Sequence, residues 1–382
     1  MKIAVDVRPL SYPGTGNAVY LYHILKEVLE ITKQKNWKWL FLTNKRIHPD
    51  YFDLLYGEVD ISITTSLFYQ KLGPLWFHQK LPLLLQKYSP DVFWSTLFLL
   101  PYNYKNRISI PAILNIHDLS AWMAPNTMKY WNQKYLKLFT LNSLLNADEI
   151  LCLSETTENL ILRIFQDNNS IKNKNYHVIY PGIIEPPKNR KKPLNMPQEN
   201  EFFLSVGTLE PRKNFETIIR AYFEAKKENA YLPPLIIAGK PGWRMSETLQ
   251  QLSKNQFRSE NIFFINAPTV EELFWLYEYC SLFLFPSIYE GFGLPILEAA
   301  YFKKPQIISK IEIFQEIGKM IDGITYIENP LSIMEWKDAI LYYSNEKNLK
   351  AYQKKIKNKN LKIFNYKNSA EKLVEILQKY EK

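Results

Sequence analysis

Apolar residues fall in short blocks along the chain, and two kinds of block alternate. "KIAVDV" at the start is too short for a helix and is followed by the glycine loop "RPLSYPGTGN", so it predicts a buried strand. "AVYLYHILKEVLE" then repeats its apolar positions at helical spacing. The same alternation continues through "WLFLT", "VFWST", "AILNIHD", "EILCLS" and "HVIYPG", with longer helical patterns such as 129–146 between them. Short apolar strands separated by amphipathic helices predict a parallel sheet covered by helices.

The pattern stops at "YPGIIEPPKNRKKPLNMPQENE", which carries five prolines and a basic cluster and has no apolar face, so it reads as a linker. It then begins again with strand "FFLSVGT", helix "FETIIRAYFEAKK", strands "PLIIAGK" and "IFFINA", helix "VEELFWLYEYC", strand "LFLFPS", helix "PILEAAYFKK" and strand "PQIIS". The expectation is two doubly wound α/β domains, residues 1–185 and 186–365. The lysine-rich end from Asn345 is helical in pattern, and its last part, about 366–382, is expected to pack back on the first domain.

Composition agrees with this division. A chain of 382 residues, 46% of them hydrophobic, is long for one core and fits two. Cys152 and Cys280 lie in apolar stretches and are too few for a disulfide framework, which points to a reducing cytoplasm. Asp6 and Arg8 stand where a secretory signal needs an apolar stretch, and no apolar run approaches about 18 residues. The protein is therefore expected to be neither exported nor membrane-spanning. Residues 1–192 carry 23 Lys and Arg against 15 Asp and Glu, whereas 193–382 carry 25 against 23. The N-terminal half is the one biased toward an anionic partner: nucleic acid, a lipid surface or a phosphorylated substrate.

In doubly wound sheets ligands bind beyond the carboxyl ends of the strands, so four places become candidates. In "PGTGN", Gly14 and Gly16 let backbone approach a ligand at the start of a helix, or form an ordinary turn; Val19 breaks the full dinucleotide fingerprint. In "NIHDLS", His117 can donate to a phosphate or hydroxyl oxygen, or be satisfied in the loop with Asp118 capping a turn. In "SVGTLEPRKN", Gly207 and Thr208 end a strand, and Arg212 and Lys213 place two cations before a helix whose start already attracts anions. In "YEGFGLPILEAA", Glu290 precedes a bend of Gly291, Phe292, Gly293 and Leu294, Pro295 suits the first helical position, and Glu298 falls in the first helical turn.

"PSIYEGFGLPILEAA" resembles the E-x7-E signature of the retaining nucleotide-sugar glycosyltransferases of family 4. "SVGTLEPRKNFETIIRAY", "LIIAGK", "NAPTVEELFWLYEYCSLFLFPS", "GTGNAVYLYHIL" and "HDL" are similar to the same family in the same order, over nearly the whole chain. The resemblance implies the GT-B fold, two facing Rossmann-like domains with the donor diphosphate in the cleft between them. It assigns diphosphate neutralisation to Lys213 and Arg212, with Gly14 and Gly16 completing the cradle. It assigns ribose hydroxyls to Glu298, sugar hydroxyls to Glu290, and the donor sugar and its leaving phosphate to His117, beside Asp118. Backbone amides of the 291–295 bend, with Gly207 and Thr208, complete the donor set. Retaining transfer then takes place on one face of the sugar, with the leaving phosphate oxygen helping to deprotonate the acceptor; the paired-carboxylate scheme of hydrolases does not apply. No D-x-D occurs in the chain, so no metal requirement and no cofactor are expected.

One departure stands out: many members carry arginine where this chain has Thr208, so either Arg212 takes over part of that contact or the contact is absent. The "GTLEPRKN" form resembles bacterial mannosyltransferases of O-antigen and other surface polysaccharides, which favours GDP-mannose over a UDP- or ADP-sugar as donor. A glycan or lipid-linked oligosaccharide is then the acceptor. The basic aromatic stretches 72–88 and 129–139 suit a headgroup layer at the inner face of the plasma membrane, or else are core with a solvated lysine face. A dinucleotide oxidoreductase lacks its fingerprint here, a nucleic-acid-binding protein lacks any recognised motif, and an inactive subunit would not be expected to keep all of Glu290, Glu298, Lys213 and His117.

Overall fold

The computed structural model describes residues 1–55, 59–63, 66–199, 201–357 and 360–381. Asn200 of the proline-rich linker, Asn358 and Lys359 of the lysine-rich stretch, and Lys382 lie outside the described residues. The chain forms two compact units, Met1–Gly182 with Ile363–Lys382, and Ile183–Lys362.

The first unit holds β1 Lys2–Asp6, β2 Lys38–Thr43, β3 Val59–Ile63, β4 Val92–Ser95, β5 Ala112–Ile116, β6 Glu149–Cys152 and β7 Asn175–Val178. They form a parallel sheet in the order β3-β2-β1-β4-β5-β6-β7. Five of the seven match the apolar blocks, β7 starts two residues before its block, and β3 was missed. Its sequence VDISI places Asp and Ser in a strand that pairs with β2 alone and stays largely accessible, so it needs no continuous apolar run.

Helix Gly16–Thr32 is capped by Thr15, whose side chain accepts from the Ala18 amide, and it buries Leu21, Ile24, Leu25 and Val28 at helical spacing. The last helix, Tyr366–Gln378, packs on it and buries Leu373 and Leu377 completely. Full burial of each leucine is worth about 2 kcal/mol relative to exposure. Gly182 makes the return possible, because a Cβ there would sit 2.4 Å from the Tyr366 nitrogen. Buried Glu149 on β6 then receives the far end of the helix: Lys379 Nζ lies 3.0 Å from its Oε1, while His177 Nε2 lies 2.5 Å from its Oε2.

The second unit holds β8 Phe203–Val206, β9 Leu235–Gly239, β10 Ile262–Asn266, β11 Leu282–Phe285, β12 Gln306–Ser309 and β13 Ile324–Ile327, all parallel, in the order β10-β9-β8-β11-β12-β13. Its core packs Phe203, Ile237 and Leu284 of the sheet against Ile218 and Tyr222 of helix Phe215–Glu228 and Trp336 of helix Ile333–Ser344. β13, like β3, is a half-exposed edge without an apolar run. In each sheet the strand order reverses beside the first strand, between β1 and β4 and between β8 and β11. The region beyond the carboxyl ends of the strands at such a reversal is the usual ligand position in folds of this kind.

Candidate functional site

In the second unit the loops after β8 and β11 meet at that reversal. The chain leaves β8 through Gly207, whose backbone is so close to its neighbour that a Cβ on Gly239 would lie 1.9 Å from the Gly207 oxygen. A Cβ on Gly207 itself would lie 3.2 and 3.3 Å from Cε and Cδ of Lys213. Glycine at 207 therefore makes room for the Lys213 stem. Arg212 and Lys213 end a short turn, Pro211–Lys213, and Asn214 follows in a left-handed conformation, φ 55°. Its side-chain Nδ2 donates to the carbonyls of Pro286 and Pro330, at 3.2 and 2.8 Å, and the Ile288 backbone amide donates to the Arg212 carbonyl at 2.9 Å. These bonds tie the two loops together.

The carboxylate of Glu290 closes the arrangement. Lys213 Nζ lies 2.5 Å from its Oε1, Arg212 Nη1 lies 2.5 Å from its Oε2, and the Ser287 hydroxyl donates to Oε1 at 2.7 Å. Arg212 also reaches Glu210, Nη2 to Oε1 at 2.6 Å. Glu210, Glu290 and Lys213 are buried, and Arg212 is about one quarter exposed. The sequence treated Arg212 and Lys213 as cations open to a ligand; the structure shows both already compensated by carboxylates. Burial alone would raise the Glu290 pKa, but the charges of Arg212 and Lys213 overcome it and hold it down to about 2. Burial likewise lowers the Lys213 pKa, against the pull of Glu290, and raises that of Glu210, against Arg212.

Gly293 has φ 118°, and a Cβ there would fall 2.9 Å from the Phe314 ring. The helix runs Leu294–Tyr301, with Pro295 second rather than first, and no side chain caps it. Glu298 is the fifth helical residue, beyond the first turn where it was expected, so the helix dipole does not account for it. Desolvation pushes its carboxyl above the usual range, opposed by the Tyr277 hydroxyl and the charge of Lys213. Phe292 is buried, Leu294 starts the helix, and Gly291 is half-buried. Thr208 carries its side chain beside Gly242, whose Cβ would meet Thr208 Cγ2 at 2.9 Å.

In the first unit, His117 follows β5 and is 5% exposed between the rings of Tyr20 and Phe98, each 5.3 Å away centroid to centroid. Its Nε2 lies 2.7 Å from the Thr96 carbonyl, and the Thr96 hydroxyl donates to the Asp6 carbonyl at 2.6 Å. Burial lowers the His117 pKa, against the Thr96 carbonyl and Asp118, so the ring is neutral near pH 7. A carbonyl only accepts, so the single N–H sits on Nε2 and Nδ1 is left as an acceptor. This corrects the expected role: His117 can take a hydrogen bond from a hydroxyl but cannot give one to a phosphate. Asp118 accepts from the Ser120 amide at 2.8 Å and so caps the next turn. Gly14 requires its left-handed φ of 72°, whereas Gly16 is the first residue of its helix and a Cβ there would meet open space.

The two basic aromatic stretches divide. Trp76 and Phe77 are core and floor the guanidinium of Arg8, at 5.6 and 4.2 Å, which buried Asp6 grips through both oxygens. Tyr130, Trp131 and Leu138, with Leu72 and Leu83, face outward. Among the described residues no helix is long and apolar enough to cross a membrane. Sequence reading missed Glu210 and Ser287, although each lies within three residues of a chosen one; only the fold shows which acid meets which base.

Residues 34–184 match the family model described as Glycosyltransferase Family 4, and residues 187–362 match Glycosyl transferases group 1. The chain is 26% identical over 338 residues to the O-antigen chain mannosyltransferase B of Escherichia coli, covering 83% of this chain and 84% of that one. It is 25% identical over 350 residues to the O-antigen chain mannosyltransferase RfbU of Salmonella typhimurium, covering 88% and 89%. The fold is similar to that of the sucrose-phosphate synthase of Thermosynechococcus elongatus, with TM-score 0.73 and 17% identity over 99% of this chain and 98% of that one.

Proposed function

The chain belongs to the family 4 glycosyltransferases, and we propose that it moves mannose from GDP-mannose, with retention, to a glycan or lipid-linked oligosaccharide in surface-polysaccharide synthesis. The observation that carries the donor site is the pair Arg212 and Lys213 at the strand-order reversal of the second sheet, on loops braced by Asn214. Mannose and the O-antigen setting are supported by the names of the relatives at 26% and 25% identity.

On this reading, the diphosphate meets fixed cations that need no reorganisation as charge develops on the leaving group. They supply the counter-charge in place of a metal, and no cofactor is required. Arg212 takes the part that an arginine at 208 would play, since Thr208 cannot. Glu290, ionised under all ordinary conditions, accepts from sugar hydroxyls, and Glu298 accepts from the ribose. His117, through Nδ1, accepts from a sugar hydroxyl. Backbone amides of the uncapped 291–294 bend suit the phosphate and sugar. Exposed Trp131, Tyr130 and Leu138, among Lys129, Lys134 and Lys137, support a reading in which the enzyme makes peripheral contact with anionic lipid at the inner face of the plasma membrane.

The test is transfer of labelled sugar from GDP-mannose, UDP-glucose or ADP-glucose, with a chelator present, to lipid-linked acceptors in bacterial membranes that lack their own mannosyltransferase. Labelled lipid-linked product from GDP-mannose with an α-mannoside by NMR supports the reading. Transfer only from another donor replaces the mannose assignment, and a β-linked product overturns retention.

A further inference from the structure

Glu210 was not among the residues expected to act, and its surroundings are unusual. Its side chain is 1% exposed; Oε1 holds Arg212 at 2.6 Å, while Oε2 is buried with no hydrogen-bond partner. An orphaned carboxylate oxygen is costly in a folded interior and calls for a reason. Charge balance supplies one. Glu210 and Glu290 cancel Arg212 and Lys213, so the empty cluster is neutral, yet on the donor reading above it must receive a diphosphate carrying two negative charges.

We propose that Glu210 is a positioning residue that takes up one proton on Oε2 when the nucleotide sugar binds, which leaves Arg212 in place and the cluster with one net positive charge. The inference rests on the donor-site reading. The proton comes from solvent; the carboxylate becomes a carboxylic acid, and no other bond changes. Glu290 is the poorer proton acceptor, because Lys213 and Ser287 occupy its Oε1 and Arg212 its Oε2, all of which favour the ionised form. Around Glu210 the charged groups are Arg212 and Lys213 on its own turn, Glu290 from the bend, and Glu216 and Arg220 on the following helix. The last two line, with Glu210 and the apolar Leu249, Leu331 and Ile333, a cavity of about 280 Å³. Burial already pushes the Glu210 carboxyl upward, against the charge of Arg212, in the direction of the protonated form.

The experiment is calorimetric titration of the whole protein with GDP-mannose, whose diphosphate diester has no ionisation near neutral pH, using a chelator and two buffers of different ionisation enthalpy, HEPES and Tris. At about pH 8 the wild type should bind with uptake of about one proton, its affinity falling by about tenfold per pH unit as pH rises. As the pH is lowered the uptake should fade, because Glu210 then carries its proton beforehand. Glu210→Gln, nearly isosteric and still able to accept from Arg212, should bind without uptake and with flat pH dependence. Binding of the wild type without uptake at any pH overturns the inference, and needs no variant to show it; equal uptake by Glu210→Gln overturns it as well. If GDP-mannose, UDP-glucose and ADP-glucose all give no binding heat, the donor-site reading itself falls, and the inference with it.

Discussion

Replacing Lys213 with methionine keeps most of the stem, whose head lies 4.9 Å from the Phe285 ring, but removes the ammonium 2.5 Å from Glu290. Both side chains are no more than 9% exposed. Removing one partner of a buried ion pair costs roughly 3–5 kcal/mol, because the other charge stays buried. Arg212 and Ser287 remain on Glu290, so the lower end applies, about 3 kcal/mol. At about 2–4 °C per kcal/mol for a unit of this size, the second unit should melt about 6–12 °C lower near pH 7 by scanning calorimetry. The wild-type pair stabilises through a carboxyl pKa lowered from 4.5 to about 2, so its contribution is present above the ordinary carboxylate range and is lost as pH falls through that interval. The gap between wild type and variant should therefore narrow as pH drops below 4.5. The double variant with Glu290→Gln should lose less than the two singles combined, by about 2 kcal/mol. A melting change below about 2 °C, independent of pH, would refute the reasoning.

Gly207→Ala places a methyl 3.2 Å from the Lys213 stem on a backbone whose φ of 156° side chains rarely adopt, so the second unit should melt lower and nucleotide-sugar affinity should fall by about tenfold; unchanged affinity in titration calorimetry would dismiss the packing account. His117 should titrate below 6.5 when followed by NMR of its ring protons, and titration at or above that value would contradict its burial as a neutral acceptor. Glu149→Gln weakens the hold of Lys379 and His177 by about 1 kcal/mol, which hydrogen exchange should reveal as faster opening of the Tyr366–Gln378 helix, whereas unchanged exchange would show the latch to be inert.

The parallel sheets were legible because buried strands such as β1, β5, β8 and β11 are nearly continuous apolar runs, and the helices between them carry one apolar face. β3 and β13 were not, since an edge strand buries little and needs no such run. Lys213, Arg212 and Glu290 could be picked out from the loops that hold them, but their mutual pairing could not. Residues 77 apart meet only because β8 and β11 are neighbours in the sheet. The same limit hid Glu210, whose orphaned oxygen has no trace in "TLEPRKN", and it reversed the expected role of His117, which depends on a carbonyl 21 residues away.

The central claim is that the partly exposed Arg212 and the buried Lys213 hold the diphosphate of a nucleotide sugar without a metal. Its most direct test is titration calorimetry of GDP-mannose with a chelator present, on the wild type and on Lys213→Met. Binding to the wild type, lost in the variant although its folded fraction is unchanged at the working temperature, is the predicted result. Equal affinity of the two proteins, or binding that appears only on adding a divalent cation, would contradict it.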